Sequence, residues 1–121
     1  MIDIPIDPGS PTPPYEQVRL RIAELAATGA LPAGTRLPPV RQLATDLGLA
    51  PNTVARAYRE LEHAGLVETR GRHGTVITSR AARVPVEAQK AAQAYADRTK
   101  SLGLHPHTAL DLVRAALNLP G

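Results

Sequence analysis

Leu37-Pro38-Pro39-Val40-Arg41-Gln42-Leu43-Ala44, Leu49-Ala50-Pro51-Asn52-Thr53-Val54, Ala57-Tyr58-Arg59-Glu60-Leu61, Gly65-Leu66-Val67 and Arg70-Gly71-Arg72-His73-Gly74-Thr75-Val76 follow one another within a single stretch, and that stretch decides the fold. Val40, Leu43 and Leu47 recur at helical spacing and predict a short helix over Pro39–Leu47, ended by Gly48. From Pro51 to Ala64, at 100° per residue, Val54, Ala57, Tyr58 and Leu61 share one face, while Asn52, Arg56, Arg59 and His63 share the opposite one. Leu66–Arg70 and Thr75–Thr78 read as short strands joined by Gly71-Arg72-His73-Gly74, whose paired glycines permit a tight turn. Two short helices split by a glycine and followed by a hairpin with a basic tip make a winged helix-turn-helix. Its second helix is built to enter the major groove of DNA.

Upstream, Ile2, Ile4 and Ile6 alternate with Asp3 and Pro5 and predict a short strand, confined to a sheet edge because Pro5 cannot donate to a ladder. Pro13-Pro14 opens a helix to about Thr28, with Tyr15, Val18, Ile22 and Leu25 inward and Gln17, Arg19, Arg21 and Glu24 facing away. Gly29 is its expected stop. Downstream, Val86–Thr99 is alanine-rich and helical by propensity, with a thin stripe of Ala88, Ala91, Ala92, Tyr95 and Ala96. After a break at Leu102–Pro106, a last helix over about His107–Leu119 carries Ala109, Leu110, Leu112, Val113, Ala116 and Leu117. That stripe is wider than one thin partner helix covers, so Tyr95, Leu110, Val113 and Leu117 are the expected dimerisation surface of a two-fold homodimer.

Composition narrows the classes. The 121 residues are 43% hydrophobic but only 2% aromatic, all tyrosine, so the interior must be aliphatic. Cysteine is absent, which excludes disulfides and thiolate metal sites. The first residues lack the pattern of a secretion signal and no apolar run approaches a membrane span, so a cytoplasmic protein with no membrane contact is expected. The net charge of +3 matters less than its placement. Arg70, Arg72, Arg80 and Arg83 lie between Thr69 and Val86 without an acidic residue. Arg36, Arg41, Arg56 and Arg59 stand against Asp46 alone. Both basic runs fall on the elements a winged helix turns toward DNA, so phosphate neutralisation accounts for them.

The stretch as a whole resembles the DNA-binding domain of the GntR family of bacterial transcription regulators. The likeness rests on Pro14-Tyr15-Glu16-Gln17-Val18, on Gly34-Thr35-Arg36-Leu37-Pro38 leading into Val40-Arg41-Gln42-Leu43-Ala44, and on Asn52-Thr53-Val54, Ala57-Tyr58, Leu61-Glu62 and Gly65-Leu66-Val67. It spans about residues 12 to 78. The short helical tail is similar to the YtrA-like branch. The resemblance implies DNA contacts from Arg41, Asn52, Thr53 and the wing around Gly71 to Gly74. The residue pattern adds Arg56 and Arg59 on the helix and Arg70, Arg72 and His73 on the wing. Two departures from the family stand out. Pro39 replaces a common serine, and Ala50-Pro51 replaces a capping residue and an arginine or proline. Sequence preference should therefore rest on Asn52, Thr53 and Arg56.

Other chemistry is set aside on the residues themselves. His105-Pro106-His107 reads as a helix-start turn, since no carboxylate stands at ligand spacing beside it. Gly71-Arg72-His73-Gly74 lacks the strand-to-helix context of a phosphate loop, and no serine or histidine sits in a nucleophile setting. No metal, cofactor or catalytic residue is expected. The alternative is a winged helix used for protein or RNA contact without operator reading. The expected architecture is mainly α (α+β): a winged helix-turn-helix over residues 1–80 and a two-helix dimerisation tail over 81–121. The expected partners are a double-stranded operator and a second copy. A repressor is the favoured role, and a small-molecule effector is left open.

Overall fold

In the computed structural model, which describes residue 2 and residues 4–120, six helices and a small sheet follow the order α1 (Pro14–Ala27), α2 (Val40–Leu47), α3 (Pro51–His63), β1 (Val67–Thr69), β2 (Thr75–Ile77), α4 (Ser79–Arg83), α5 (Val86–Ser101) and α6 (Pro106–Ala116). The chain divides into two compact units, Met1–Val86 and Glu87–Gly121.

The first unit is organised around α3. Val54, Ala57, Tyr58 and Leu61 are buried along one face, and α3 packs on α1, α2 and β1. Val18 and Ile22 of α1, Leu43 of α2, and Leu37, Val67 and Ile77 beside the wing complete an aliphatic core. Tyr58 is its one tyrosine. Its phenol donates to the Pro38 carbonyl at 2.7 Å, which ties α3 to the residue pair that starts α2. Gly48 has φ +69° and lets Leu49 turn back, its amide donating to the Ala44 carbonyl at 2.9 Å. That left-handed residue is what separates α2 from α3. The expected shortage at the start of α3 is present, since Ala50 offers no side-chain acceptor. Pro13 and Pro39, which precede α1 and α2, offer none either.

β1 and β2 pair antiparallel, Val67 with Ile77 and Thr69 with Thr75. The segment Gly34–Leu37 adds to the free edge of β2. The Gly34 amide donates to Ile77, the Leu37 amide to Thr75 and the Ile77 amide to Thr35, all at 2.8–2.9 Å. The wing therefore has a third edge formed by the loop between α1 and α2.

Several expectations need correction. Ile2 and Ile4–Ile6 form no strand, and Asp3 lies outside the described residues. Ile4 is buried in the core instead, held by side-chain burial without ladder bonds. Gln17 does not simply face away. Its amide donates to the carbonyls of Asp7 and Thr12 and accepts from the Asp7 amide, clamping this arm onto α1. Arg19 faces α3, where its Nε lies 3.2 Å from Glu60. The short helix α4 was not foreseen. Thr78 caps it, accepting from the Ala81 amide and donating to the Gly65 carbonyl, and Ala81 is buried in the core against α1.

The second unit is a helical hairpin. Tyr95 of α5 donates to the Ala109 carbonyl of α6 at 2.8 Å. Thr99 is buried, with its hydroxyl satisfied by the carbonyls of Tyr95 and Ala96. Between the helices lies an apolar groove of about 620 Å³ lined by Tyr95, Thr99, Leu104, Ala109, Leu110 and Val113. The α6 stripe stays open rather than covered by α5: Leu110 is 47% exposed and Leu117 63%.

Burial pushes the Tyr58 phenol above its ordinary range, so its ionisation costs more in the folded chain than in the unfolded one. The stability this contributes is full at neutral pH and falls as pH rises past about 10. Tyr58→Phe should cost ~1 kcal/mol at pH 7, because the Pro38 carbonyl loses its donor. It should also flatten the alkaline loss. Urea melts of both proteins at pH 7 and above pH 10 check both outcomes.

Candidate nucleic-acid interface

An amphipathic helix with its apolar stripe fully buried must turn its other face outward. On α3 that outward face carries Asn52, Arg56, Arg59 and His63, all exposed, with Thr53 half-buried at its edge. Arg41 is exposed on α2, whose C-terminal Gly48 turn leads to the start of α3. The wing stands beside α3. Val67, Thr69 and Thr75 share a small cleft with Val40, Tyr58 and Arg59, and the Thr69 hydroxyl donates to Glu62 at 2.9 Å. One compact unit thus brings together the first turns of α3, Arg41 and the hairpin.

The hairpin tip is a single 3-10 turn, Gly71–His73. The Arg70 amide donates to the Gly74 carbonyl at 2.8 Å and the His73 amide to the Arg70 carbonyl at 2.9 Å. Arg72 and His73 are exposed at this tip. Arg70, expected as a contact, forms an ion pair with Glu68 on the same strand edge.

Arg56 is the expected contact whose setting differs most from the sequence reading. Its guanidinium sits 3.7 Å over the Tyr15 ring, and its Nε donates to Glu60 at 3.2 Å. Glu60 also takes Arg19, so Tyr15 and Arg19 on α1 grip Arg56 and Glu60 on α3. Burial, with the Glu16 carboxylate beside it, raises the Tyr15 phenol above its ordinary value. Helical spacing put Arg56 on the polar face correctly but carried no sign of the α1 ring that holds it. Arg36, counted only as part of a basic run, lies against the wing: a Cβ at Gly74 would meet its Nε at 3.1 Å.

Among the described residues, no group of three or more histidines, carboxylates or cysteines forms a metal cluster. No described helix is long and apolar enough to cross a membrane. His105 and His107 stack with ring centroids 5.3 Å apart, and His105 Nδ1 accepts from the His107 amide, capping α6.

The grip between α1 and α3 has a measurable signature. Tyr15→Leu removes the ring beneath Arg56 and should cost ~0.5–1 kcal/mol, as an exposed cation–π contact does. Glu60→Gln should cost about as much, since both its ion pairs are partly solvated. The double variant should lose less than the sum, because both changes act through Arg56. Full additivity in urea melts would mean that the two contacts are independent.

Comparison with known proteins agrees with this arrangement. The model of the bacterial regulatory proteins of the gntR family matches residues 14–77. The HTH-type transcriptional regulator Rv1152 of Mycobacterium tuberculosis is 46% identical over 115 residues, which is 95% of this chain and 92% of that protein. The HTH-type transcriptional repressor YtrA of Bacillus subtilis is 46% identical over 84 residues, 69% of this chain and 65% of that one. Among solved structures, YtrA from Sulfolobus acidocaldarius, a GntR-family transcription factor, superposes with a TM-score of 0.63 at 33% identity, covering 81% of this chain and 97% of its own. The chain belongs to the GntR family of bacterial regulatory proteins and is a DNA-binding transcription regulator.

Proposed function

We propose that this regulator acts as a repressor, a homodimer that sets α3 of each subunit on one half-site of a palindromic operator. The observation that carries the reading is the exposed amide and guanidinium face of α3 beside a basic wing on one compact unit. Asn52 and Thr53 lie at the first turn of α3, where side chains reach base edges. An asparagine amide pairs in bidentate fashion with adenine, whereas Arg41, Arg59, Arg72 and His73 supply charge to the backbone and groove edges. Arg56 serves first to hold α3 on α1, and Arg70 is shared with Glu68. The repressor role draws on the name of the Bacillus subtilis relative. The chain works by binding and not by catalysis, in the cytoplasm, and an effector is left open.

The tail supports the homodimer. Leu110 of α6 and Leu117 at its C-terminal cap are exposed, with half-buried Val113 between them. Burying each aliphatic side chain is worth ~1.5–3 kcal/mol, and a second copy offers the same surface. Tyr95 contributes from inside the hairpin by fixing α5 on α6.

Footprinting on the gene's own promoter, followed by binding titrations, tests operator reading. Asn52→Ala should narrow the gap between operator and random DNA by ~1–3 kcal/mol, while Arg72→Ala should weaken both alike. An equal loss on both DNAs for Asn52→Ala would refute base reading at that position. Changing Leu110 and Val113 together to Lys should give a folded monomer with poor operator affinity in sedimentation equilibrium. A double variant that stays dimeric and binds normally would move the interface off the tail.

A further inference from the structure

Arg36 belongs to no helix, yet it is joined to the wing, bridging Val76 and lying close to Gly74. Gly34–Leu37 lies along the free edge of β2, with Arg36 opposite Val76. Alternation along this edge buries Leu37 and leaves Arg36 exposed on the other face of the sheet. Val76 also pairs with Glu68 of β1, so Arg36, Val76 and Glu68 form one row across the wing. Thr69 and Thr75 mark the opposite face, the one turned to α3. The row therefore lies on the outer face.

That face is a cleft of about 340 Å³ lined by Gly34, Arg36, Arg70, His73 and Val76. Its carboxylate, Glu68, is taken by Arg70. Among the described residues no carboxylate pairs with Arg36. The Arg36 guanidinium lies close against Gly74. A Cβ there would meet Nε at 3.1 Å, and φ +71° at Gly74 disfavours any other residue. An uncompensated guanidinium in a cleft lined also by His73 has the forked donors that suit a phosphate.

We propose that this cleft is a phosphate site, in which Arg36 binds a DNA backbone phosphate on the outer face of the wing. The inference rests on the reading of the chain as a DNA-binding protein. It has the wing straddle the backbone, with α3 on one side and Arg36 on the other, so that the footprint extends beyond what the recognition helix reaches.

The test is fluorescence anisotropy of the full chain on random-sequence duplex DNA between roughly 50 and 200 mM salt. Arg36→Gln should weaken binding and lower the slope of log affinity against log salt by about 1, with the melting temperature unchanged. Arg36→Lys should restore the slope. A purely structural role would instead lower the melting temperature and leave the slope at the parental value, which overturns the proposal. Inorganic phosphate at matched ionic strength should compete no better than chloride, and selective competition would make this a free-anion site and overturn the assignment to DNA. A parent chain without salt-sensitive binding would refute DNA binding itself. A parental slope retained by Arg36→Gln refutes only this site.

Discussion

Everything in the first unit is arranged to bury one stripe of α3. Val54, Ala57, Tyr58 and Leu61 meet side chains from α1, α2 and the wing, and each fully buried aliphatic group stabilises by ~1.5–3 kcal/mol. No face of α3 is left for a second layer, so its polar side is held outward by the same packing. The Tyr58 hydroxyl on Pro38 sets where α2 begins relative to that stripe, and the Gly48 turn sets the break between the two helices. The exposed polar face of α3 is thus the complement of the core.

Carboxylates decide which arginines stay available. Glu60 is shared by Arg19 and Arg56, Glu62 receives the Thr69 hydroxyl, and Glu68 holds Arg70. Each of these acidic groups lies on α3 or the wing, and each is turned to a contact within the fold. Among the described residues no carboxylate pairs with Arg41, Arg59 or Arg72. A modest net charge of +3 therefore coexists with a concentrated positive surface, which is what salt-dependent association with a phosphate backbone needs.

Helices α1, α2 and α3 were legible because apolar residues recur at three and four along them, and glycine marks their ends. The wing was legible from two short apolar runs around paired glycines. What periodicity does not carry is where a long side chain goes once the helices pack. Arg56 sat correctly on an exposed polar face, yet its guanidinium is held by the Tyr15 ring of α1, and Arg19, expected to face away, is drawn to Glu60 of α3. The isoleucines at the start alternate like a strand but have no ladder to join, and Ile4 finds burial without one. At five residues, α4 is too short for a period to show, and its one local sign was Thr78 three residues before Ala81. Gly34–Leu37 pairs with β2 through backbone bonds that leave no mark on side-chain pattern.

The missing caps at Pro13, Pro39 and Ala50 bear on how the domain comes apart. Helices of 14, 8 and 13 residues are at or below the length at which an isolated helix persists in water. Without side-chain acceptors at their starts, these three have little local support and exist because they are packed together. Opening any one exposes the stripe of α3 and removes the reason for the others. The unit should lose its order as a single cooperative block, and a peptide cut from α3 would not keep its shape. The ability to read DNA is therefore not a portable property of one helix: it is present only while the whole unit is folded.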